Sequence, residues 1–328
     1  MTRYSALARR TVTRLLQAVL VVFIIATANF ALVHLVPGDA ADVLAGESGS
    51  ATPEYMQMLR QRFGLDKSLP EQYAIYIWNT ARLDLGYSFR FSEPVSKLIL
   101  GRLPATLILM VPAAILSFCI GVGMGVFASR RVGTWADSVV SVAAVLVYAM
   151  PVFWVGLMMI VIFSVNLRWL PTNGMETIAS GYRGMDYVID VVQHMIMPVT
   201  AMALFYIALY TRMMRASMLE VSTLDFVTTA RAKGLNDSRV AYGHVLPNAL
   251  LPMVTLLGLQ VSTLLGGSIL IETIFGWPGI GRLAYDSIAG RDVNLLMGIL
   301  LASSVVVIVT NMVVDLAYGW LDPRISKG

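Results

Sequence analysis

The chain is written as long apolar runs separated by short polar stretches. Apolar runs fall at 15–36, 103–128, 139–167, 195–214, 249–271 and 295–320. A helix needs about 20 mostly apolar residues to cross a hydrocarbon core, so the pattern predicts six membrane-crossing helices. The run at 195–214 is the shortest before polar residues intrude. Pro112, Pro151 and Pro198 fall inside runs and are read as kinks that shape a bundle. Arg3, Arg9, Arg10 and Arg14 lead into the first run, and no small-residue cleavage site follows it, so it reads as an uncleaved first span.

Two polar stretches carry helix punctuation of their own. In 37–102, Thr52-Pro53-Glu54 is a helix start and Gly64 after Phe63 a stop. Ser68 with Glu71 has the spacing of a capping box, opening a second helix through Tyr73, Ile77 and Trp78. This predicts a small helical cap packed on the span ends. The second stretch, 225–247, lies between the fourth and fifth runs. Ser217 to Lys233 contains no proline, and Leu224, Val227 and Ala230 recur at helical spacing, giving one narrow apolar face. Gly234 stands where a helix C-terminus takes a residue at positive φ, behind Arg231 and Lys233, which suit the negative end of the helix dipole. Leu235 is placed to fold back, Asn236 or Asp237 to cap a second short helix, and Pro247 to end it. Such a hairpin either spaces two spans or presents a surface to a partner.

Composition fixes the class. Of 328 residues 57% are apolar and 13% charged, against about a quarter charged in soluble domains. The expected fold is therefore all-α, a polytopic membrane protein: residues 1–36 hold the N-terminus and first span, 37–102 the helical segment, and 103–328 a five-span core with the polar loop 220–248. The net charge of +4 does not point to nucleic acid, because basic residues in such chains mark the cytoplasmic side. With both termini inside, short inner segments hold 13 lysines and arginines and the two short outer loops hold four, Arg168, Arg183, Arg282 and Arg291. That asymmetry places 37–102 outside and 220–248 inside.

Enzyme chemistry is not written in the chain. His34, His194 and His244 lie on three separate segments, Cys119 is alone, and no histidine or carboxylate cluster offers metal ligands. Proton-coupled transporters keep charges within their spans, and here the mid-span positions are nearly free of them. A phosphate-binding loop needs Gly-Lys, and none of Lys67, Lys97, Lys233 and Lys327 follows a glycine. Energy for active transport must then arrive from another polypeptide through a contact surface. The best candidate is the inner element, with Asp225, Thr228, Thr229, Ala230, Arg231, Ala232, Lys233, Gly234 and Leu235 as its coupling residues. Gln260, Ser262, Thr263 and Ser268 on the fifth span and Asn311 on the sixth either line a wet path or make interhelical hydrogen bonds. Gly121, Gly123 and Gly125 are read as allowing close helix packing.

The inner element resembles the "EAA" loop of ABC-importer permeases: Gly234, Leu246 and Pro247 fall on its pattern, while Thr228, Thr229 and Ala230 stand for its opening and His244 for an apolar position. The run TARAKGL from Thr229 is similar to the peptide-transporting branch. So are FGLDKSLPEQY from Phe63, DLGYSF from Asp84, RLPATL from Arg102, MPVFWVGL from Met150, ETIFGWPGIGRL from Glu272 and NMVVDLAYGWLDPRI from Asn311, together with VPGDA from Val36. In this order they resemble the first of two permease subunits of dipeptide, oligopeptide or nickel ABC importers. The resemblance implies a type I importer transmembrane domain in a bacterial or archaeal cytoplasmic membrane. It also implies a homologous second permease, two ATPase subunits that hold ATP and Mg2+, and an extracytoplasmic substrate-binding protein, with lipid around the spans and no cofactor in this chain. Nickel, glutathione or an oligosaccharide are alternative cargoes; an ion-coupled secondary transporter and an intramembrane enzyme are the alternatives of other classes.

Overall fold

A computed structural model describes residues 3–35, 52–63, 66–88 and 90–321. The VPGDA run and Gly64 lie outside these residues. The described chain is helical apart from a two-residue antiparallel pair, β1 (Tyr87–Ser88) with β2 (Glu93–Pro94). Two compact units are present, Met1–Pro104 with Leu283–Met312, and Ala105–Arg282 with Val313–Gly328.

In the first unit, α1 (Arg3–Leu35) is followed by α2 (Pro53–Phe63) and α3 (Leu69–Ala81). The capping signal of α3 works as the spacing predicts: the Glu71 carboxylate accepts from the Ser68 amide at 3.2 Å and its hydroxyl at 3.0 Å. The aromatic face of α3 lies along the end of α1, where Phe30 meets Tyr73 edge-on at 5.2 Å and the Tyr73 hydroxyl pairs with Thr27 at 2.8 Å. His34 is used here, one ring nitrogen on the Phe30 carbonyl and the other on Gln72. The DLGYSF run becomes a clasp. Ser88 donates to Asp292 at 2.5 Å, and Asp292 caps α13 (Val293–Leu321) by accepting from the Leu295 amide.

The second unit holds most of α4 (Val95–Ser129), then α5 (Trp135–Ala149), α6 (Val152–Met159) with a π-helical continuation (Ile160–Asn166), and α7 (Met185–Ser222). Next come α8 (Asp225–Ala232), α9 (Asp237–Val240) with a π-helical stretch (Ala241–Val245), α10 (Leu246–Ala249) and α11 (Leu251–Ile274), while α12 (Ile280–Ala289) belongs from Leu283 onward to the first unit. Among the described residues three helices are long and apolar enough to cross a membrane, Val95–Ser129, Met185–Ser222 and Val293–Met312; counting each bent pair as one span gives up to five, and Leu16–Leu32 is a shorter apolar helix.

Three sequence expectations are corrected. The apolar run 139–167 is not one kinked helix: it turns by 100° between α5 and α6. Met150 is extended at φ −77°, ψ 132°, because the residue before proline is pushed out of the helical region, and Pro151 opens a new helix instead of bending an old one. The run 195–214 underestimates α7, which continues for 38 residues around the internal Pro198. Its polar positions have partners. Asp190 takes the Thr177 amide and hydroxyl, both at 2.7 Å, His194 meets the Asp190 carbonyl at 2.8 Å, and Arg215 forms a two-point bridge to Asp137 at 2.6 and 2.8 Å. The predicted helix from Ser217 to Lys233 is interrupted, as described below.

Close packing of α4 on α7 depends on two of the three glycines in the GVGMG run. A Cβ on Gly121 would meet the Tyr210 Cβ at 2.5 Å, and one on Gly125 the Met214 Cβ at 2.6 Å. Gly123 points into open space.

Candidate coupling surface

The 225–247 element is built on the ends of α7 and α11. Where the sequence predicts continuous helix, the chain steps out: Leu224 is extended at φ −74°, ψ 150°, and Ser222 and Thr223 turn their hydroxyls back onto the Leu219 and Glu220 carbonyls. Hydroxyl side chains that satisfy the last carbonyls of a helix compete with its continuation. α8 then restarts at Asp225, whose carboxylate suits the positive end of the new helix.

One face of α8 is fixed. Val227 is fully buried and Ala230 nearly so, in a cluster with Met214, Met218 and Val221 of α7, Met253 of α11, and Val240, Val245 and Ala249. Leu235 packs half-buried against it, folded back as predicted. Gly234 has φ +79°, donates its amide to the Arg231 carbonyl at 2.9 Å and makes the turn. Asn236, of the two candidates, caps α9 by accepting from the Arg239 amide at 2.8 Å. The second helix does not end at Pro247. A π-helical stretch intervenes, Pro247 falls in the first turn of α10, where no intrahelical donor is needed, and the break comes at Leu250, with a bend of 43°.

The opposite face is open. Asp225, Thr228, Thr229, Arg231, Ala232, Lys233 and Gly234 are all exposed. Beside them stand Leu224 (45% exposed), which the helical spacing put on the apolar face with Val227 and Ala230 but which is instead the extended residue before α8, and Phe226 (41%), which sequence reasoning did not assign. The signal for Phe226 is phase: it precedes buried Val227 by one residue, about 100° around a helix, and so falls outside the narrow stripe. The arrangement can hold a helix rigidly from behind and offer an aromatic anchor, two threonines and two cations in front. No nucleotide-binding loop accompanies it.

The five path candidates separate. Gln260 is buried and bridges helices, accepting from the Tyr210 hydroxyl at 2.6 Å and donating to Ser117 at 2.8 Å. Ser268 is buried beside Glu272, to which it hydrogen-bonds. Thr263 is exposed and pairs with the Tyr206 hydroxyl. Asn311 is exposed on α13, and the side chain of Ser262 lies outside the described residues.

Sequence reasoning also missed the turn after α11. Glu272 is fully buried, yet its carboxylate has four donors: the Thr106 hydroxyl at 2.8 Å, the Arg282 amide at 3.0 Å, the Gly281 amide and Ser268. Thr106 in turn accepts from the Ile280 amide at 2.7 Å, and buried Trp277 donates its indole N–H to the Ala105 carbonyl at 2.8 Å. A Cβ on Gly279 would land on the carboxylate, and one on Gly281 would meet the Ile269 Cα at 2.7 Å. The GWPGIG run is thus a wrapper around one side chain.

Apolar helices of membrane-crossing length joined to a helix that is anchored on one side only define a membrane-embedded protein with one polar face left open. Comparison with known proteins agrees. Residues 121–327 match the model for the binding-protein-dependent transport system inner membrane component, and residues 7–110 match that for the N-terminal part of such membrane components. The chain belongs to this family: it is an inner-membrane, multi-pass permease subunit of an ABC transporter and carries no ATPase domain. It is 40% identical over 314 residues to the dipeptide transport system permease protein DppB of Escherichia coli (strain K12), covering 90% of this chain and 92% of that protein. It is 36% identical to the protein of the same name from Alkalihalophilus pseudofirmus, covering 95% and 98%. Among solved structures, an inward-facing MetNI methionine ABC transporter aligns at TM-score 0.54 with 18% identity, over 69% of this chain and 96% of that one, which shows a shared fold.

Proposed function

We propose that this chain is one of two permease subunits of an importer for dipeptides and short oligopeptides, driven by ATP and Mg2+ held on separate ATPase subunits and supplied by an extracytoplasmic binding protein. The substrate class follows the relatives, two of which are named for dipeptide transport at 36–40% identity. Both termini lie in the cytoplasm, as the distribution of basic residues favours. Six crossings are made by α1, α4, the broken pair α5–α6, α7, α11 and α13.

The observation that carries the reading is the two-faced α8. Val227 and Ala230 join it to the core shared by α7 and α11, while Phe226, Thr228, Thr229, Arg231 and Lys233 face outward. An ATPase subunit gripping the outward face moves α7 and α11 with it, because the inward face has no slack. Movement of a well-packed cluster between two discrete arrangements is how nucleotide binding is converted into alternating access. Thr263 with Tyr206 offers exposed hydroxyl groups to a passing peptide backbone, whereas Gln260 and Ser268 hold the helices beside them.

Reconstitution tests this. The purified chain with its second permease and ATPase subunits shows ATP hydrolysis stimulated by peptide-loaded binding protein, and calorimetry of that binding protein shows heat with dipeptides and none with nickel. Uptake by the chain alone, or a binding protein that takes nickel or a sugar and no peptide, would overturn the assignment.

A further inference from the structure

Beside the coupling element lies a groove of about 810 Å³ between the α4 end nearest that element and the α9–α10 segment. Its floor is apolar, formed by Phe118, Val122 and Val126 of α4 with Leu246 and Leu250. Two arginines stand at its mouth. Arg130 donates to the Tyr242 hydroxyl at 3.1 Å and to Ser238 at 3.0 Å, and lies over the Tyr242 ring at 5.0 Å. Arg131 lies over the Phe127 ring at 3.8 Å. Among the described residues neither is in an ion pair, and both are exposed. Stacking on aromatic rings and hydroxyl contacts fix the guanidinium planes while leaving N–H groups free.

We infer that this groove binds an acidic phospholipid, with an acyl chain along the α4 floor and the phosphodiester on Arg130 and Arg131. The chemistry separates this occupant from a helix of the partner permease. An apolar helix would cover the floor and leave two guanidinium charges without a counter-charge, whereas a phosphodiester supplies one, with two oxygens that match the guanidinium fork. The site sits at the end of a membrane-crossing helix, where headgroups lie, and its bound anion would bridge α4 to Ser238 and Tyr242 of the coupling segment. The lipid thereby braces the surface on which the ATPase acts. That consequence rests on the importer reading; the binding itself rests only on the groove.

The test is native mass spectrometry of the purified permease complex after delipidation and addition of phosphatidylglycerol or phosphatidylcholine. Phosphatidylglycerol is retained in preference. Arg131→Gln, which removes the guanidinium stacked on the Phe127 ring, weakens its retention about fivefold, and the double variant with Arg130→Gln about 25-fold, with phosphatidylcholine unaffected. Lysine at both positions restores only part of the preference, because it keeps the charge and loses the planar fork. Gly123→Leu, whose side chain grows into the open groove, lowers retention with both arginines intact. Equal retention of the two lipids, indifference to Arg131→Gln, or displacement by inorganic phosphate would overturn the inference. So would cross-linking from Cys119, on the groove wall, to the second permease, which would assign the groove to protein. None of these readouts uses peptide, binding protein or ATP, so they fail separately from the importer assignment.

Discussion

Two glycine turns, one between α8 and α9 and one after α11, are of opposite character. In the first, Gly234 adopts φ +79° with nothing within 4 Å of where a Cβ would be. In the second, Gly279 and Gly281 leave no space for a Cβ, because the Glu272 carboxylate and the Ile269 backbone already occupy it. One turn is required by backbone angle alone and faces outward; the other is required by volume and faces inward. A glycine-rich motif in a permease can therefore mark either a surface awaiting a partner or a closed clasp, and only the neighbouring atoms tell which.

Mutations that break this contrast differ in size and in what they disturb. Glu272→Ala strands the Thr106 hydroxyl and the Gly281 and Arg282 amides, each at about 1–3 kcal/mol when buried without a partner, so the expected loss is on the order of 3 kcal/mol or more. The purified complex then melts at lower temperature, and Gly281→Val does the same by overpacking; an unchanged melting temperature in both would show that the clasp is not structural. At the α8–α9 turn the fold is untouched and docking suffers. Phe226→Ala removes an exposed aromatic anchor and weakens ATPase-subunit association by roughly 2 kcal/mol, about 30-fold in Kd, read by titration of the reconstituted permease. Gly234→Asp imposes about 1–2 kcal/mol of left-handed backbone strain and a charge on the contact; the variant inserts and assembles, but ATP hydrolysis no longer responds to loaded binding protein. Normal stimulation in that variant would remove Gly234 from the coupling mechanism. Arg231→Ala has the smallest effect, about 0–1 kcal/mol in docking, because an exposed ion pair is screened by water.

Local signals were legible in proportion to how local their causes are. The capping box at Ser68 and Glu71, the positive φ at Gly234, the Asn236 cap and the start at Pro53 all depend on a few adjacent residues, and each appears where its spacing predicts. The failures involve competition. At Pro151 the restriction on Met150 outweighed the apolar continuity that suggested a single span, and at Ser222–Thr223 hydroxyl back-bonding outweighed helix propensity. Phe226 was passed over because a helical stripe identifies what is buried, and Phe226 lies outside it.

Hydrophobic runs long enough for a bilayer, the basic asymmetry of the loops, the lack of any nucleotide-binding loop and the helix–glycine–helix elbow are all written in the one-dimensional order of residues, because each needs only composition or near neighbours. Which of three glycines in GVGMG lets helices touch and which opens a groove, why Glu272 can be buried, and how Arg215 finds Asp137 across 78 positions are decided in three dimensions. The reason is physical: burial, hydrogen-bond satisfaction and cavity shape are properties of atoms that meet only after the chain has folded.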